Sequence, residues 1–102
     1  MTGGPRSADP QTTAAPAVAV TLLTQSHCAF CDHAKAVLAR LGGEFPLEVT
    51  EVDLGSTEGQ DLATRHGVLF APGLLLGAES FGFGRISERK LRRALAARTA
   101  RS

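Results

Sequence analysis

The chain has no tryptophan, no tyrosine, one methionine and only two cysteines among its 102 residues. Two cysteines are too few for the disulfide framework of small secreted domains. A bridge between Cys28 and Cys31 would close a very short loop, and loop-closure stabilisation grows with loop length. The pair is therefore better explained by chemistry than by scaffolding. No apolar run approaches the roughly 20 residues that a membrane-spanning helix needs. Charge of one sign is not in excess either. Eleven basic and 10 acidic residues give a formal net charge of +1, which excludes a polycation built for nucleic acid. What remains, 43% hydrophobic and 21% charged residues, is the composition of a globular chain, and the length suits one domain.

Residues 1–16 carry three of the five prolines, two glycines and four Ser or Thr. They read as a disordered N-terminal tail, with the domain spanning 17–102. Ala14–Leu23 has the length of a signal-peptide core, and Ala17-Val18-Ala19 mimics a cleavage site. However, the leader holds only Arg6, offset by Asp9, and cleavage would delete the best candidate strand. A cytoplasmic protein is expected. Charge is also uneven along the chain. Arg6, Lys35, Arg40 and Arg65 face nine acids before position 85, whereas seven bases follow from Arg85 onward against Glu88 alone. The basic end reads either as a solvated helix face whose cations suit the C-terminal end of the dipole, or as a docking surface for an acidic partner.

Hydrophobic patterning predicts alternating elements. Ala17–Leu23 is β-branched and apolar, a buried strand. After Cys28, Ala34, Val37, Leu38 and Leu41 recur at helical spacing up to Gly42-Gly43. Leu47–Leu54 has strand composition. Ser56–His66 begins with capping residues and stops at Gly67, a short helix. Gly73–Leu76 and Ser80–Gly84 read as strands joined by a turn at Gly77-Ala78-Glu79. Ile86–Arg98 reads as a helix with Ser87 as its cap and Leu91, Ala94 and Leu95 inward. The order β-α-β-α-β-β-α predicts an α/β domain with a mixed sheet covered on both faces. Phe81 and Phe83, alternating with Gly82 and Gly84, are expected to point into the core between sheet and helix.

Cys28-Ala29-Phe30-Cys31 lies between the first predicted strand and the first predicted helix. There the first sulfur sits over unpaired backbone N–H groups and the positive end of the dipole, which stabilise a thiolate. Cys31 stands one helical turn along, near enough to attack a mixed disulfide on Cys28. This predicts Cys28 as nucleophile and Cys31 as resolving thiol. Other readings of the pair exist. A structural zinc site needs four ligands; His27, His33 and His66 could supply some, but there is no second CxxC and no HxxxH. Covalent haem attachment needs CxxCH, and Asp32 intervenes before His33. Two thiolates in a loop could carry a soft ion such as Cu(I), or both thiols could be buried and inert.

Ala71-Pro72 is the second signal. A proline heading a central strand is unfavourable without a purpose. Such a bond can be cis, and beside a CxxC it would offer the Ala71 backbone to an extended substrate; the plainer reading is a trans proline marking a strand start. Phe30 is expected to be exposed at the motif tip. His27, if protonated, would favour the Cys28 thiolate, or it is a loop residue, whereas Asp32 adds negative charge nearby. His27, Phe30, Ala71 and Pro72 are thus the candidate substrate-binding residues.

Strand, CxxC helix, strand, helix, proline, hairpin and helix together resemble the thioredoxin-fold superfamily over about positions 17–98. His27, Ala29-Phe30 and Leu22 stand where thioredoxins carry a Trp, a Gly-Pro and a buried Asp. Phe30 occupies a place commonly aromatic in the glutaredoxin branch. Gln25, Phe70-Ala71-Pro72 and Gly82-Phe83-Gly84-Arg85 stand where glutaredoxins have a glutathione-gripping Lys, a Thr-Val-Pro turn and a Gly-Gly followed by acids. NrdH-type redoxins, small glutaredoxin-like proteins with thioredoxin-like activity, share an Ala-Pro turn. Their Ser-Gly-Phe-Arg-Pro-like segment is similar to Phe81–Arg85. The resemblance implies a thioredoxin-like fold, with a central mixed four-stranded sheet flanked by three helices. It also implies a glutaredoxin-like disulfide reductase acting on disulfide-containing protein substrates. Thioredoxin reductase or a low-molecular-weight thiol would be the reductant. A cytoplasmic monomer with no metal or organic cofactor, no nucleic acid and no membrane partner is expected. The alternatives are a soft-metal carrier and a non-catalytic thioredoxin-fold binding module. Ferredoxin-like metal chaperones place a Met ahead of the first cysteine, whereas the only Met here is Met1.

Overall fold

Val, Leu and Thr side chains, which suit a pleated and partly buried surface, form the first strand, β1 (Val18–Thr24). The computed structural model describes residues 17–100, so the expected tail at 1–16 lies outside the described residues. Ala34, Val37, Leu38 and Leu41 make the buried face of α1 (Ala29–Leu41). Then come β2 (Leu47–Asp53), α2 (Thr57–His66), β3 (Gly73–Leu76), β4 (Glu79–Phe83) and α3 (Glu88–Ala100). The order β-α-β-α-β-β-α is the one the sequence predicts.

Local chemistry sets the element ends. The Ser56 hydroxyl accepts the Gly59 amide at 3.0 Å and starts α2. Gly67, at φ 68°, ends it in the left-handed conformation that glycine adopts without penalty. α3 starts two residues later than expected, because the Ser87 hydroxyl accepts the Lys90 amide at 3.2 Å and Ser87 is the cap. Ile86 therefore precedes the helix. It shares a core cluster with Leu91, so the two side chains staple the cap from either side.

The sheet runs β2-β1-β3-β4, with β1 and β2 parallel and β3 antiparallel to both of its neighbours. α1 and α3 cover one face. Val20 and Leu22 from β1 and Leu74 and Leu76 from β3 pack there against Val37, Leu38, Leu41, Leu91 and Leu95. α2 covers the other face, where Leu23 and Val52 meet Ala63 and Val68. This second cover is partial: Ala19, Glu48 and Thr50, at the other end of β1 and β2, are exposed. The expectation of a sheet covered on both faces thus holds fully only on the α1/α3 side.

Phe81 and Phe83 both pack on the core as expected, but on opposite faces of the sheet. The β3–β4 register slips between Leu74 and Leu75, which pair with Gly82 and Ser80. Phe81 is the extra residue of this β-bulge, and a bulge breaks the two-residue alternation of side chains. Phe81 consequently packs against the α1/α3 cluster and Phe83 against the α2 cluster.

Candidate active site

The turn between β1 and α1 brings Cys28 to the tip of the helix. His27 reaches a φ of 54°, a left-handed conformation uncommon outside glycine, and Cys28 follows as N-cap in an extended conformation. The Cys28 carbonyl accepts the amides of Cys31 and Asp32, both at 3.1 Å. Its sulfur accepts the Cys31 amide at 3.2 Å. A sulfur thus fills the role that a serine or aspartate oxygen usually plays at this position. Negative charge on that sulfur faces a backbone N–H and the positive end of the helix dipole.

The two thiols sit in different surroundings. Cys28 is half-buried, whereas Cys31 is 2% exposed. Burial, then the side-chain hydrogen bond with Cys28, pushes the Cys31 thiol up to about 11. At neutral pH Cys31 keeps its proton. The pair therefore consists of one half-exposed sulfur at the helix tip and a second, buried one that holds its proton.

Ala71 and Pro72 complete the site from the loop before β3. The Ala71–Pro72 peptide bond is cis. The Ala71 carbonyl oxygen lies 4.0 Å from the Cys28 sulfur. The Pro72 ring is fully buried, and its carbonyl accepts the Gly84 amide at 2.8 Å. It is the Ala71 backbone that meets the Cys28 sulfur. Among the other residues singled out from sequence, Phe30 is 47% exposed on the first turn of α1. His27 and Asp32 are exposed. His33 turns away and binds the Ile86 carbonyl through Nε2 at 3.1 Å, which ties α1 to the segment entering α3. A carbonyl only accepts, so Nε2 carries the proton. Among the described residues, no three His, Cys, Asp or Glu side chains are gathered where a metal ion could be held.

Solved structures are similar to this architecture. A point mutant of a thioredoxin from Halobacterium salinarum superposes with a TM-score of 0.64 at 24% identity, over 87% of this chain and 80% of that one. Mitochondrial thioredoxin 3 from Saccharomyces cerevisiae gives 0.57 at 19% identity, over 78% and 77%. A thioredoxin from Thermus thermophilus gives 0.56 at 25% identity, over 79% and 72%. No family model and no curated protein matches the sequence. The chain has the thioredoxin fold.

In this thioredoxin-fold chain, two exposed apolar residues of the loop that carries Ala71 were not singled out from sequence. Leu69 is 78% exposed and Phe70 53% exposed, directly before Ala71. Phe70 stands edge-on to Phe83, with ring centroids 5.0 Å apart at 87°. A Cβ on Gly84, whose φ is +80°, would lie 3.1 Å from the Phe70 ring. The run GVLFAPGLLL reads as uniformly apolar, so composition alone does not separate its exposed start from its buried end. The one signal available is the position of Leu69 and Phe70 after the Gly67 helix stop and before the proline, which makes them loop residues.

Proposed function

We propose that this protein is a glutaredoxin-like thiol–disulfide oxidoreductase, of the NrdH-redoxin kind, that reduces protein disulfides through Cys28 and Cys31. One observation carries the reading: the half-exposed Cys28 sulfur caps α1 and accepts the Cys31 amide, with the Cys31 thiol buried behind it.

The cycle balances over two steps. The Cys28 thiolate attacks one sulfur of the substrate disulfide, forming a mixed disulfide and releasing the other sulfur as a thiolate, which takes a proton from water. Cys31 then attacks the Cys28 sulfur, its proton passing to the departing substrate thiolate. The substrate leaves as a dithiol, and Cys28 and Cys31 remain as a disulfide. Two electrons have moved to the substrate. An external reductant, thioredoxin reductase or a low-molecular-weight thiol, returns them. His27, Phe30 and the Ala71 backbone, with Pro72 fixing the turn beneath, position the substrate chain beside the sulfur. No metal or organic cofactor enters the cycle. In the cytoplasm, where thiols are kept reduced, the dithiol form predominates and a monomer acts as reductant.

Insulin disulfide reduction tests this. Wild type should accelerate the reaction, and Cys28→Ser should abolish the acceleration. Cys31→Ser should accumulate a mixed disulfide on Cys28 that dithiothreitol releases. Equal rates for wild type and Cys28→Ser would overturn the reading. Recharging the oxidised protein with NADPH and thioredoxin reductase, against glutathione, identifies the reductant; the resemblance to NrdH redoxins favours the flavoprotein.

A further inference from the structure

The cations of the C-terminal region divide into two groups. Arg92 is paired with Glu44 and Glu88, and Arg98 with Glu79 and the Leu76 carbonyl. Arg85, Arg89, Lys90 and Arg93 are exposed, and none of them makes an ion pair among the described residues.

The second group is placed against its own helix. Because α3 starts at Glu88, Arg89 and Lys90 fall in its first turn, and only Arg98 stands in the last. Cations near a helix N-terminus oppose the dipole. Arg89 and Arg93 are four residues apart, a spacing at which like charges repel. The sequence expectation that these cations suit the C-terminal end of the dipole is therefore corrected. Leu91 and Leu95 are buried, so helical periodicity turns Arg89 and Arg93 outward with Lys90 beside them. These charges therefore give the helix no electrostatic stabilisation.

The stripe also adjoins the cysteine site. Arg85 follows Gly84, whose amide is bonded to the Pro72 carbonyl and on which an added Cβ would lie 3.1 Å from the Phe70 ring. Arg85 lines a cleft of about 340 Å³ with His33 of α1 and with Ile86, Ser87 and Glu88 at the start of α3. An occupant of the stripe would thus reach Phe70 and the loop whose Ala71 carbonyl faces the Cys28 sulfur. We infer that Arg85, Arg89, Lys90 and Arg93 dock an acidic polypeptide segment flanking the disulfide of the protein substrate. This inference rests on the proposed reductase activity, because it names the partner of that same site. Charge complementarity selects an acidic occupant, and continuity with the cysteine rim selects a disulfide-bearing protein over a separate ligand.

The test uses two synthetic disulfide-linked peptides that differ only in flanking residues, six Asp/Glu in one and six Ser/Gly in the other. Wild type should reduce the acidic peptide with a kcat/KM at least about tenfold higher at low salt. That ratio should shrink toward one as salt shortens the screening length. In Arg89→Glu/Lys90→Glu/Arg93→Glu the ratio should fall to one or below at all salt concentrations. The melting temperature of this variant should hold or rise, because acids replace cations in the first turn and Lys90→Glu completes a capping box with Ser87. A ratio near one in wild type, or a ratio unchanged in the variant, would overturn the docking surface. So would a clear fall in melting temperature, which would make the cations structural. Binding of the acidic peptide to Cys28→Ser/Cys31→Ser, read by fluorescence anisotropy, tests docking without turnover. Binding there with no reduction by wild type would sink the reductase reading and spare the surface. Equal binding of this double variant to duplex DNA or to vesicles containing phosphatidylserine would show a general polyanion surface and overturn the assignment to a protein partner.

Discussion

The sulfur of Cys28 lies 4.0 Å from the carbonyl oxygen of Ala71, 43 residues further along the chain. This distance joins the tip of α1 to the loop backbone proposed to hold an extended substrate chain. Phe30, two residues past Cys28, and Leu69 and Phe70, directly before Ala71, are three of the four large hydrophobic side chains exposed among the described residues. The fourth, Val49, is on β2. Exposed apolar side chains on the two segments that meet at Cys28 have a consequence for the proposed substrate handling.

Phe30→Ala should reduce kcat/KM on insulin by about three- to tenfold, as loss of a partly buried aromatic anchor does at other interfaces. The folded state should change by less than about 1 kcal/mol, because about half of the residue is in solvent already and it belongs to no core cluster. Steady-state insulin reduction and thermal denaturation, measured together, separate the two effects. Unchanged kcat/KM would show that the ring does not meet the substrate.

Cys31 has its own pH signature. Its folded-state thiol is raised from 9.0 to about 11, first by burial and then by the bond with Cys28. At pH 8 only about one folded molecule in a thousand then carries a Cys31 thiolate. Iodoacetamide should accordingly modify Cys28 at least tenfold faster, as mass mapping would show. The folded state also holds this proton more tightly than the unfolded chain does. The associated stability is complete below pH 9 and is lost as pH rises toward 11, by at most about 3 kcal/mol. The difference in melting temperature between wild type and Cys31→Ser should therefore narrow from pH 8 to pH 10.5. A constant difference would contradict a raised thiol.

Local chemistry made much of this legible from sequence. Ser56 and Gly67 bound α2 because capping and left-handed turns are properties of single residues. The CxxC between a strand and a helix fixes the placing of Cys28 because helix geometry follows from a few residues. Features decided by pairing were not legible. The opposite orientations of Phe81 and Phe83 depend on a register slip against β3. The exposed end of the sheet depends on how far α2 reaches. The pairing of Arg92 but not Arg89 depends on which helix face meets Glu44. Leu69 and Phe70 were hidden by composition, because exposed apolar residues at a site spell the same letters as a core.

Gly59 gives a prediction whose sign reverses the ordinary rule. Replacing a mid-helix glycine with alanine normally gains about 1 kcal/mol. Here Gly59 is buried in α2 where the helix leaves β2. A Cβ would run into the Asp53 carbonyl and stand 2.9 Å from Leu54 Cα. Both obstacles are backbone and cannot rotate away. Gly59→Ala should destabilise by about 1–3 kcal/mol, the usual range for overpacking. Gly82→Ala, where a Cβ would meet nothing within 4 Å, serves as the control and should stay within about 0.5 kcal/mol of wild type. Chemical denaturation of the two variants decides the matter, and a stabilised Gly59→Ala would mean that α2 sits further from β2.

Arg92 tests the other half of the cation division on α3. It bonds Glu44 at 2.7 and 2.9 Å and Glu88 at 3.3 Å, and Arg40 of α1 bonds Glu88 as well. The network therefore ties α3 to α1 and to the loop after it. The hydrogen bond from Arg40 lowers the Glu88 carboxyl, and that from Arg92 lowers Glu44. Groups lowered in this way stabilise the fold above the ordinary carboxylate range, and the contribution is lost as pH falls through their folded values. All four side chains face solvent, so the effect is small and screened by salt. Arg92→Met should lower the melting temperature modestly at pH 7 and low salt. The deficit should shrink at 1 M salt and close near pH 3. The acidic-to-neutral peptide ratio should stay at its wild-type value, because Arg92 spends its charge inside the molecule. A variant that loses the peptide preference and keeps its stability would place Arg92 on the docking surface and dissolve the division between the two groups.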